Sequence, residues 1–401
     1  MTIDLPTMWI KRIFQDILSD PPLSLRLFPV WLLLGPRQVG KSALLQHISD
    51  KDRQLIDLDD LAVRARANAD PVLFAKSIQL PCLIDEIQYA PALLSAIKQR
   101  SDAGAAPGSI FLTGSQNFEV MHGVRESLAG RVAILNLLGF SEQEMPPESY
   151  EPAAYFRYIA RSSFPKLYDV TDADAITFYL NSYVQTYIER DVRELLGIQK
   201  RREFELFVRL CALRTGQIIN HADLARDASI SPITAKEWLS LLEDSFLIAQ
   251  VQPYFSNVSK RLIKASKLYF LDAGLAAHLA GWRNSEIMRH SPSAGALFET
   301  QIFGQIWRHF KHQNREVKIY FFRTRDGVEA DFLVEHGGKI QPIEVKMGMP
   351  DARRLADLSK IREPNWSAGT VISLALAGDK PAPLSEQWLG LGPDRLAECL
   401  G

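Results

Sequence analysis

The sequence predicts an α/β chain of more than one domain, and three observations carry that prediction. An apolar run, Val30 to Leu34, leads into a glycine-bearing loop, Gly35 to Ser42, and then into an amphipathic stretch, Ala43 to Ile48. Further short apolar runs follow at Leu55–Leu58, Cys82–Asp85, Ile110–Thr113 and Val132–Leu138, separated by helix-length segments, and such alternation builds a parallel sheet covered on both faces. At 401 residues the chain also exceeds one ordinary core, so two or three domains are expected.

Composition narrows the class without naming a partner. The chain is 47% hydrophobic and 23% charged, as globular proteins are, and no apolar run approaches the roughly 20 residues that cross a bilayer. No membrane partner is expected. Trp9, Ile10, Ile13, Phe14 and Ile17 recur at helical spacing with no small-residue cleavage site after them, so an amphipathic helix is predicted and not a signal peptide. Cys82, Cys211 and Cys399 are scattered, which suits a reducing cytoplasm and gives no metal-ligand spacing. A net charge near -1 argues against a uniformly basic DNA coat, though it leaves room for local basic patches.

The loop Gly35-Pro36-Arg37-Gln38-Val39-Gly40-Lys41-Ser42, continuing into Ala43, has the full spacing of a phosphate loop in the strand-to-helix setting that the motif requires. Its glycines let backbone N–H groups face phosphate oxygens, Lys41 adds charge near the outer phosphates, and Ser42 holds Mg2+. ATP with Mg2+ is the expected ligand. The strand in "LPCLIDEIQ" ends in Asp85 and Glu86, and two carboxylates at an apolar strand tip are costly unless a cation or a water needs them. Asp85 suits the magnesium shell and Glu86 the polarising of the attacking water. The strand in "SIFLTGSQN" ends in small polar residues, so Ser115, or Gln116 or Asn117 in its place, could sense the terminal phosphate. Arg125 and Arg131 are the candidates for a charge-neutralising arginine, with a surface salt bridge as the plain alternative.

The motifs "GPRQVGKS", "LIDLDD", "LIDEIQ", "FLTGSQ" and "LAGRV", in this order, resemble the bacterial and archaeal extended AAA-type ATPases whose C-terminal half is a domain of unknown function, number 4143. The resemblance runs from about Trp9 to Met347. It implies an ATPase domain over residues 1–145, with a core at about 24–140. It also implies a homo-oligomer, most plausibly a ring, in which Arg131 completes a neighbour's site.

A proline- and glutamate-rich break, "SEQEMPPESYEP", opens a helical region expected over 146–285. In "FYLNSYVQTYIERDVRELLGI", Tyr179, Tyr183, Tyr187 and Val192 share one helical side. Then His221 to Ala228, Ser229 to Ser231 and Pro232 to Asp244 read as helix, turn and helix, with Ser231 as N-cap and Pro232 at the first helical position. The apolar strand Leu247–Val251 and "KLYFLD" would form a wing, giving a winged helix. DNA is the expected partner, with Thr234, Lys236 and Glu237 as readers and Lys260, Arg261, Lys264 and Lys267 as phosphate contacts. Winged helices also build protein contacts, and that alternative stays open here.

Over 286–401, "GALFETQIFGQIWRHF" places Phe298, Ile302, Ile306 and Phe310 on one helical stripe, with Glu299 at its margin. "KIYFFRT", "VEADFLVEH" and "IQPIEVKMG" read as strands closed by turns at Asp326-Gly327 and Gly337-Gly338. Alternation puts Asp331 on the face away from Ala330, Phe332 and Val334, and Glu344 and Lys346 on one face across Val345, so Asp331, Glu344 and Lys346 can meet on adjacent strands, with Glu299 arriving from the helix. Oxygen clusters of this kind suit Mg2+, and a lysine beside them can activate water for phosphodiester cleavage. The quartet resembles the restriction-endonuclease-like PD-(D/E)xK superfamily, with its helix Glu, strand Asp and Glu-x-Lys in that order; Glu329-Ala330 replaces the usual proline before Asp331. A helix over Asp351–Arg362 and a strand over Thr370–Leu376 complete an αβββαβ order. Asp331 and Glu344 are the expected metal ligands. The whole reads as an ATP-hydrolysing protein acting on DNA, with a nuclease-like domain that binds it and whose cleavage of it is left open. The rivals are an ATP-gated binder of DNA or protein whose nuclease-like domain is not catalytic, and an ATP-driven assembly factor that touches no nucleic acid.

Overall fold

Five strands form the first sheet: β1 Val30–Leu34, β2 Gln54–Asp57, β3 Cys82–Asp85, β4 Ile110–Gly114 and β5 Val132–Asn136. Their order is β2-β3-β4-β1-β5 and every pairing is parallel. The computed structural model describes residues 9–401 apart from 116–123, 125–126, 193–199, 256–264, 325–326, 361–362 and 364. The chain divides into two units, Met1–Pro146 with Lys311–Asn314, and Pro147–Phe310 with Arg315–Gly401.

In the first unit β1 and β4 lie inside the sheet, and every residue of both is buried. That is why both read as unbroken apolar runs instead of alternating ones. Trp31, Leu33, Phe111 and Leu135 form a core with Leu44 and Leu45 of the helix Lys41–Ile48 and Phe14 and Leu18 of the helix Ile13–Ser19. A large apolar side chain so buried contributes roughly 1.5–3 kcal/mol relative to exposure. The helix that follows the phosphate loop is therefore anchored by its own apolar face.

The second unit opens with helices at Pro152–Arg161 and Ala173–Tyr183. The expected tyrosine row is present in part, with Phe164 packed on Tyr179 and Tyr183, and Tyr183 on Tyr187; the side chain of Val192 lies outside the described residues. Beyond the helix Arg201–Leu213, the helices His221–Asp227 and Pro232–Asp244 meet at a turn where Ser229 takes a positive φ of 56°. Ser231 caps the second helix, its Oγ accepting from the Thr234 N–H at 3.0 Å, and Pro232 occupies the first position, where its missing N–H costs nothing. β6 Gln217–Ile218, β7 Ile248–Pro253 and β8 Lys267–Phe270 form the winged-helix sheet, β8 pairing antiparallel with both neighbours.

That small sheet does not end at the wing. β7 pairs in parallel with β9 Lys318–Arg323, matching Gln252 with Tyr320 and Pro253 with Phe321. β10 Glu329–His336, β11 Lys339–Lys346, β12 Gly369–Ser373, β13 Ala382–Ser385 and β14 Trp388–Leu391 continue it. The result is one nine-stranded sheet, β13-β14-β12-β11-β10-β9-β7-β8-β6, spanning strands on both sides of residue 286. β10 and β11 join through Gly337 and Gly338, whose φ angles of 59° and 78° are those a two-residue hairpin of matching twist requires. The C-terminal segment, which carried no sequence signal, supplies β13 and β14 and packs Trp388 into a core with Tyr254, Leu333, Trp366 and Val371.

Candidate functional site

The phosphate loop is shaped by a close approach. A Cβ on Gly35 would stand 1.9 Å from the Leu137 carbonyl oxygen, so only glycine lets the chain turn away from β1 there. Gln38 and Gly40 take positive φ angles, 63° and 89°, and the helix starts at Lys41. Lys41 is buried, and its Nζ donates to the carbonyls of Gly35 at 3.0 Å and Pro36 at 2.9 Å. Burial pulls its pKa down to about 8, although the Glu86 and Asp85 carboxylates favour the charged form. Arg37 donates to the Tyr89 hydroxyl at 2.5 Å.

Across the loop, Ser42 Oγ donates to Asp85 Oδ1 at 2.7 Å, and Thr113 donates to the same oxygen. Burial raises the Asp85 pKa, with the Thr113 and Ser42 hydrogen bonds opposing the shift. Glu86 stands in the left-handed region at φ 54°, a conformation that costs a non-glycine residue on the order of 1 kcal/mol. Its N–H donates to Thr113 Oγ1 at 3.0 Å, which helps to hold it there. Gln88 links the tip of β3 to the end of β4, its Nε2 donating to the Glu86 carboxylate and to Ser115 Oγ, the latter at 3.0 Å. Lys41, Ser42, Asp85, Glu86 and Ser115 are thus gathered at one end of the sheet. Arg131 is not free in its own chain: its guanidinium pairs with Asp102, with Nη2 3.2 Å from Oδ2. Arg125, Gln116 and Asn117 lie outside the described residues.

Sequence reading missed Arg12, Thr113 and Gln88. Arg12 is buried and its Nε reaches Glu144 Oε1 at 2.9 Å. It also donates to Val39 O in the phosphate loop and to Leu138 O, each at 2.8 Å. Burial alone would raise Glu144, but Arg12 and His312, whose Nδ1 lies 3.4 Å away, hold it well below the usual carboxylate range.

In the second unit Asp331 and Glu344 sit on adjacent strands, both buried. Asp331 N–H donates to Glu344 Oε2 at 3.2 Å and Val345 N–H to Asp331 Oδ2 at 2.8 Å. Lys346 Nζ lies 2.7 Å from Glu344 and 3.3 Å from Asp331. Arg354, from the helix Ala352–Lys360, closes on the same pair, 2.6 Å from Glu344 and 3.9 Å from Asp331. Glu299 is engaged elsewhere: Tyr269 donates to it, and Lys267 Nζ lies 3.4 Å from it and 2.8 Å from Glu329. Lys267 is therefore a buried member of this cluster and not a surface phosphate contact. Lys260, Arg261 and Lys264 fall outside the described residues.

Comparison with known proteins follows the same division. Residues 28–146 match the family described as AAA domain, 152–286 match the domain of unknown function DUF8612, and 294–386 match the domain of unknown function DUF4143. The chain carries an AAA-type ATPase domain and a C-terminal DUF4143 domain. Two relatives, the uncharacterized proteins Mb2031c of Mycobacterium bovis and Rv2008c of Mycobacterium tuberculosis, are each 26% identical over 98% of this chain and 86% of their own length. PCH-2 of C. elegans is similar in structure over 56% of this chain, at 13% identity and a TM-score of 0.23, too low to carry an argument. The chain spans 65% of the length of that protein.

The two candidate metal sites differ in their fit to a divalent cation. In the AAA domain, Ser42 Oγ and Asp85 Oδ1 stand together beside Lys41 and fit Mg2+. In the DUF4143 domain Asp331 and Glu344 stand together and the Asp331 charge reaches Glu299, but Glu299 is bonded to Tyr269 and Lys267. Among the described residues no group of three or more His, Cys, Asp or Glu side chains is placed to hold a metal ion. Lys267 and Tyr269 draw Glu299 to themselves, and Lys346 and Arg354 already neutralise Asp331 and Glu344.

Charge explains the protonation of this cluster. Glu299, Glu329, Asp331 and Glu344 face Lys267, Lys346 and Arg354, which leaves one negative charge in excess. Burial and the Asp331 charge push Glu299 up to about 7 and Glu344 up to about 8, so the cluster keeps a proton near neutral pH. A carboxyl raised on folding contributes stability that is complete below its unfolded value near 4.5 and is lost as pH rises through 7 and 8. The melting temperature is expected to fall between about pH 5 and 8, and Glu344→Gln should flatten that slope. An unchanged slope in Glu344→Gln would exclude this account.

Proposed function

We propose that this chain is a magnesium-dependent ATP hydrolase acting on DNA, and that its DUF4143 domain grips the nucleic acid without cutting it. The observation that carries the first part is the arrangement of Ser42 and Asp85 2.7 Å apart, beside buried Lys41 and with Glu86 fixed next to them. Mg2+, held by Ser42 and Asp85, would supply charge neutralisation at the outer phosphates. Lys41 exchanges its two loop carbonyls for phosphate oxygens, the loop N–H groups bind the anion, and Glu86 orients the attacking water and takes its proton. Gln88 holds the Glu86 carboxylate and Ser115 in one hydrogen-bonded group, so a change at the terminal phosphate is felt at the ends of both β3 and β4.

The DNA contact rests on the winged helix, which lies inside the DUF8612 match and leaves Lys236 and Glu237 exposed on its second helix, and the absence of cutting rests on the cations already seated among the C-terminal carboxylates. A carboxylate pair satisfied by Lys346 and Arg354 has little to gain from a divalent ion.

One set of measurements tests the proposal. Fluorescence anisotropy of a labelled duplex at several salt concentrations, with and without ATP, should show binding that weakens steeply with salt. Calorimetry with manganese should show no site that depends on Asp331, and no DNA form should be cut. Cleavage abolished by Lys346→Ala would establish the nuclease reading instead. DNA binding absent at all salt concentrations would favour the assembly-factor reading.

A further inference from the structure

The second unit contains a cavity of about 720 Å³ that the proposed activity does not use. All its lining residues fall between Glu148 and Ser285, and nearly all lie inside the match to DUF8612. Its size is that of small-molecule sites, which run to roughly 300–1,000 Å³.

Its frame is rigid. Gly274 packs so closely on the helix Pro152–Arg161 that a Cβ there would stand 2.4 Å from the Ile159 carbonyl oxygen. Asp272 fastens the same region, accepting from Leu275 N–H at 2.7 Å and from Ser163 N–H at 2.8 Å. His278 joins the helix Ala273–Leu279 to the helix Ala173–Tyr183 through Asn181 Oδ1 at 3.0 Å. Burial, with Arg283 and Arg209 nearby, pushes His278 down to about 4, so it stands there uncharged.

Three guanidinium groups line this frame. Arg161 uses Nη1 on the Tyr168 carbonyl at 2.8 Å, while its buried Nε has no hydrogen-bond partner among the described residues. Arg157 and Arg283 are exposed, and Arg157 lies close enough to Glu286 to favour its carboxylate. An arginine fork at a concave wall suits phosphate, which it can bind through two parallel hydrogen bonds. Tyr158 and half-buried Trp282 add aromatic surface, which favours a flat ring. Glu148 and Asp174 supply acceptors for hydroxyl or amino groups.

We propose that this cavity binds a nucleoside phosphate at a site separate from the phosphate loop, its phosphate on Arg157, Arg161 and Arg283 and its base against Trp282 and Tyr158.

The test uses the full chain carrying Lys41→Ala, so that nucleotide binding at the phosphate loop is weakened, and the cavity variants are made in that background. Calorimetry would measure binding of adenosine, guanosine, cytidine and uridine 5′-monophosphates and of inorganic phosphate. Saturable binding of at least one nucleotide, tighter than that of inorganic phosphate, is expected. It should weaken at least tenfold in Arg157→Glu/Arg283→Glu with the melting temperature little changed, since both side chains are exposed. Trp282→Ala should reduce the preference for nucleotide over phosphate. No saturable binding of any of the four nucleotides, or binding indifferent to the charge reversals, would overturn the proposal. Inorganic phosphate binding as tightly as every nucleotide would also overturn it.

Discussion

Glu86→Gln is expected to bind ATP at close to wild-type affinity and to hydrolyse it at least about 100-fold more slowly, the usual cost of losing a positioned general base. Lys41→Ala is expected to bind ATP at least about tenfold more weakly, a loss of about 1.4 kcal/mol or more. The two variants separate because the groups act at different stages. Lys41 meets the phosphates in the ground state, whereas Glu86 matters when the water loses its proton. A pH dependence follows from the burial of Lys41. With its pKa near 8 in the free protein, ATP binding above that pH requires uptake of a proton, so affinity should fall as pH rises from 8 to 9. Equal affinity in Lys41→Ala and wild type would refute the assignment, as would full turnover in Glu86→Gln.

Arg12→Ala is expected to lower the stability of the first unit by about 3–5 kcal/mol, the cost of leaving one member of a buried ion pair alone. For a unit of this size that is a fall of roughly 10 °C in melting temperature. The loss should exceed that of an average core truncation in its consequences for nucleotide, because Arg12 also holds the Val39 carbonyl of the phosphate loop. Glu144→Gln combined with Arg12→Ala should recover part of the loss, since the stranded charge is gone. A melting temperature within 3 °C of wild type in Arg12→Ala would show that Glu144 finds compensation elsewhere, and would contradict this account.

The nucleotide site was largely legible because its chemistry is local. Gly35 to Ser42 are contiguous, and Asp85 and Glu86 sit at the end of a strand whose apolar character is unmistakable. What escaped were groups whose roles come from partners distant in sequence: Arg12 meets Glu144, and Gln88 meets Ser115. In the C-terminal cluster the pattern placed Asp331, Glu344 and Lys346 together by strand alternation, and they are together. Alternation says nothing, however, about Arg354 arriving from a helix or Lys267 from β8. These two cations change the chemistry of the cluster, and each is an ordinary charged residue to any reading by pattern. The hairpin at Gly337-Gly338 was legible for the opposite reason, since adjacent glycines state their backbone requirement directly.

The pairing of β7 with β9 bears on how this protein can be inherited and dissected. Gln252 and Pro253 cover the edge that Tyr320 and Phe321 present, so a fragment starting at Ala294 would expose an open row of N–H and C=O groups. Open edges recruit strands from other molecules. The two domains of unknown function, distinct as they are in comparison, are thus a single module in the physical sense: gene fusion or shuffling that moves them together preserves the sheet, and any event that parts them creates an adhesive surface.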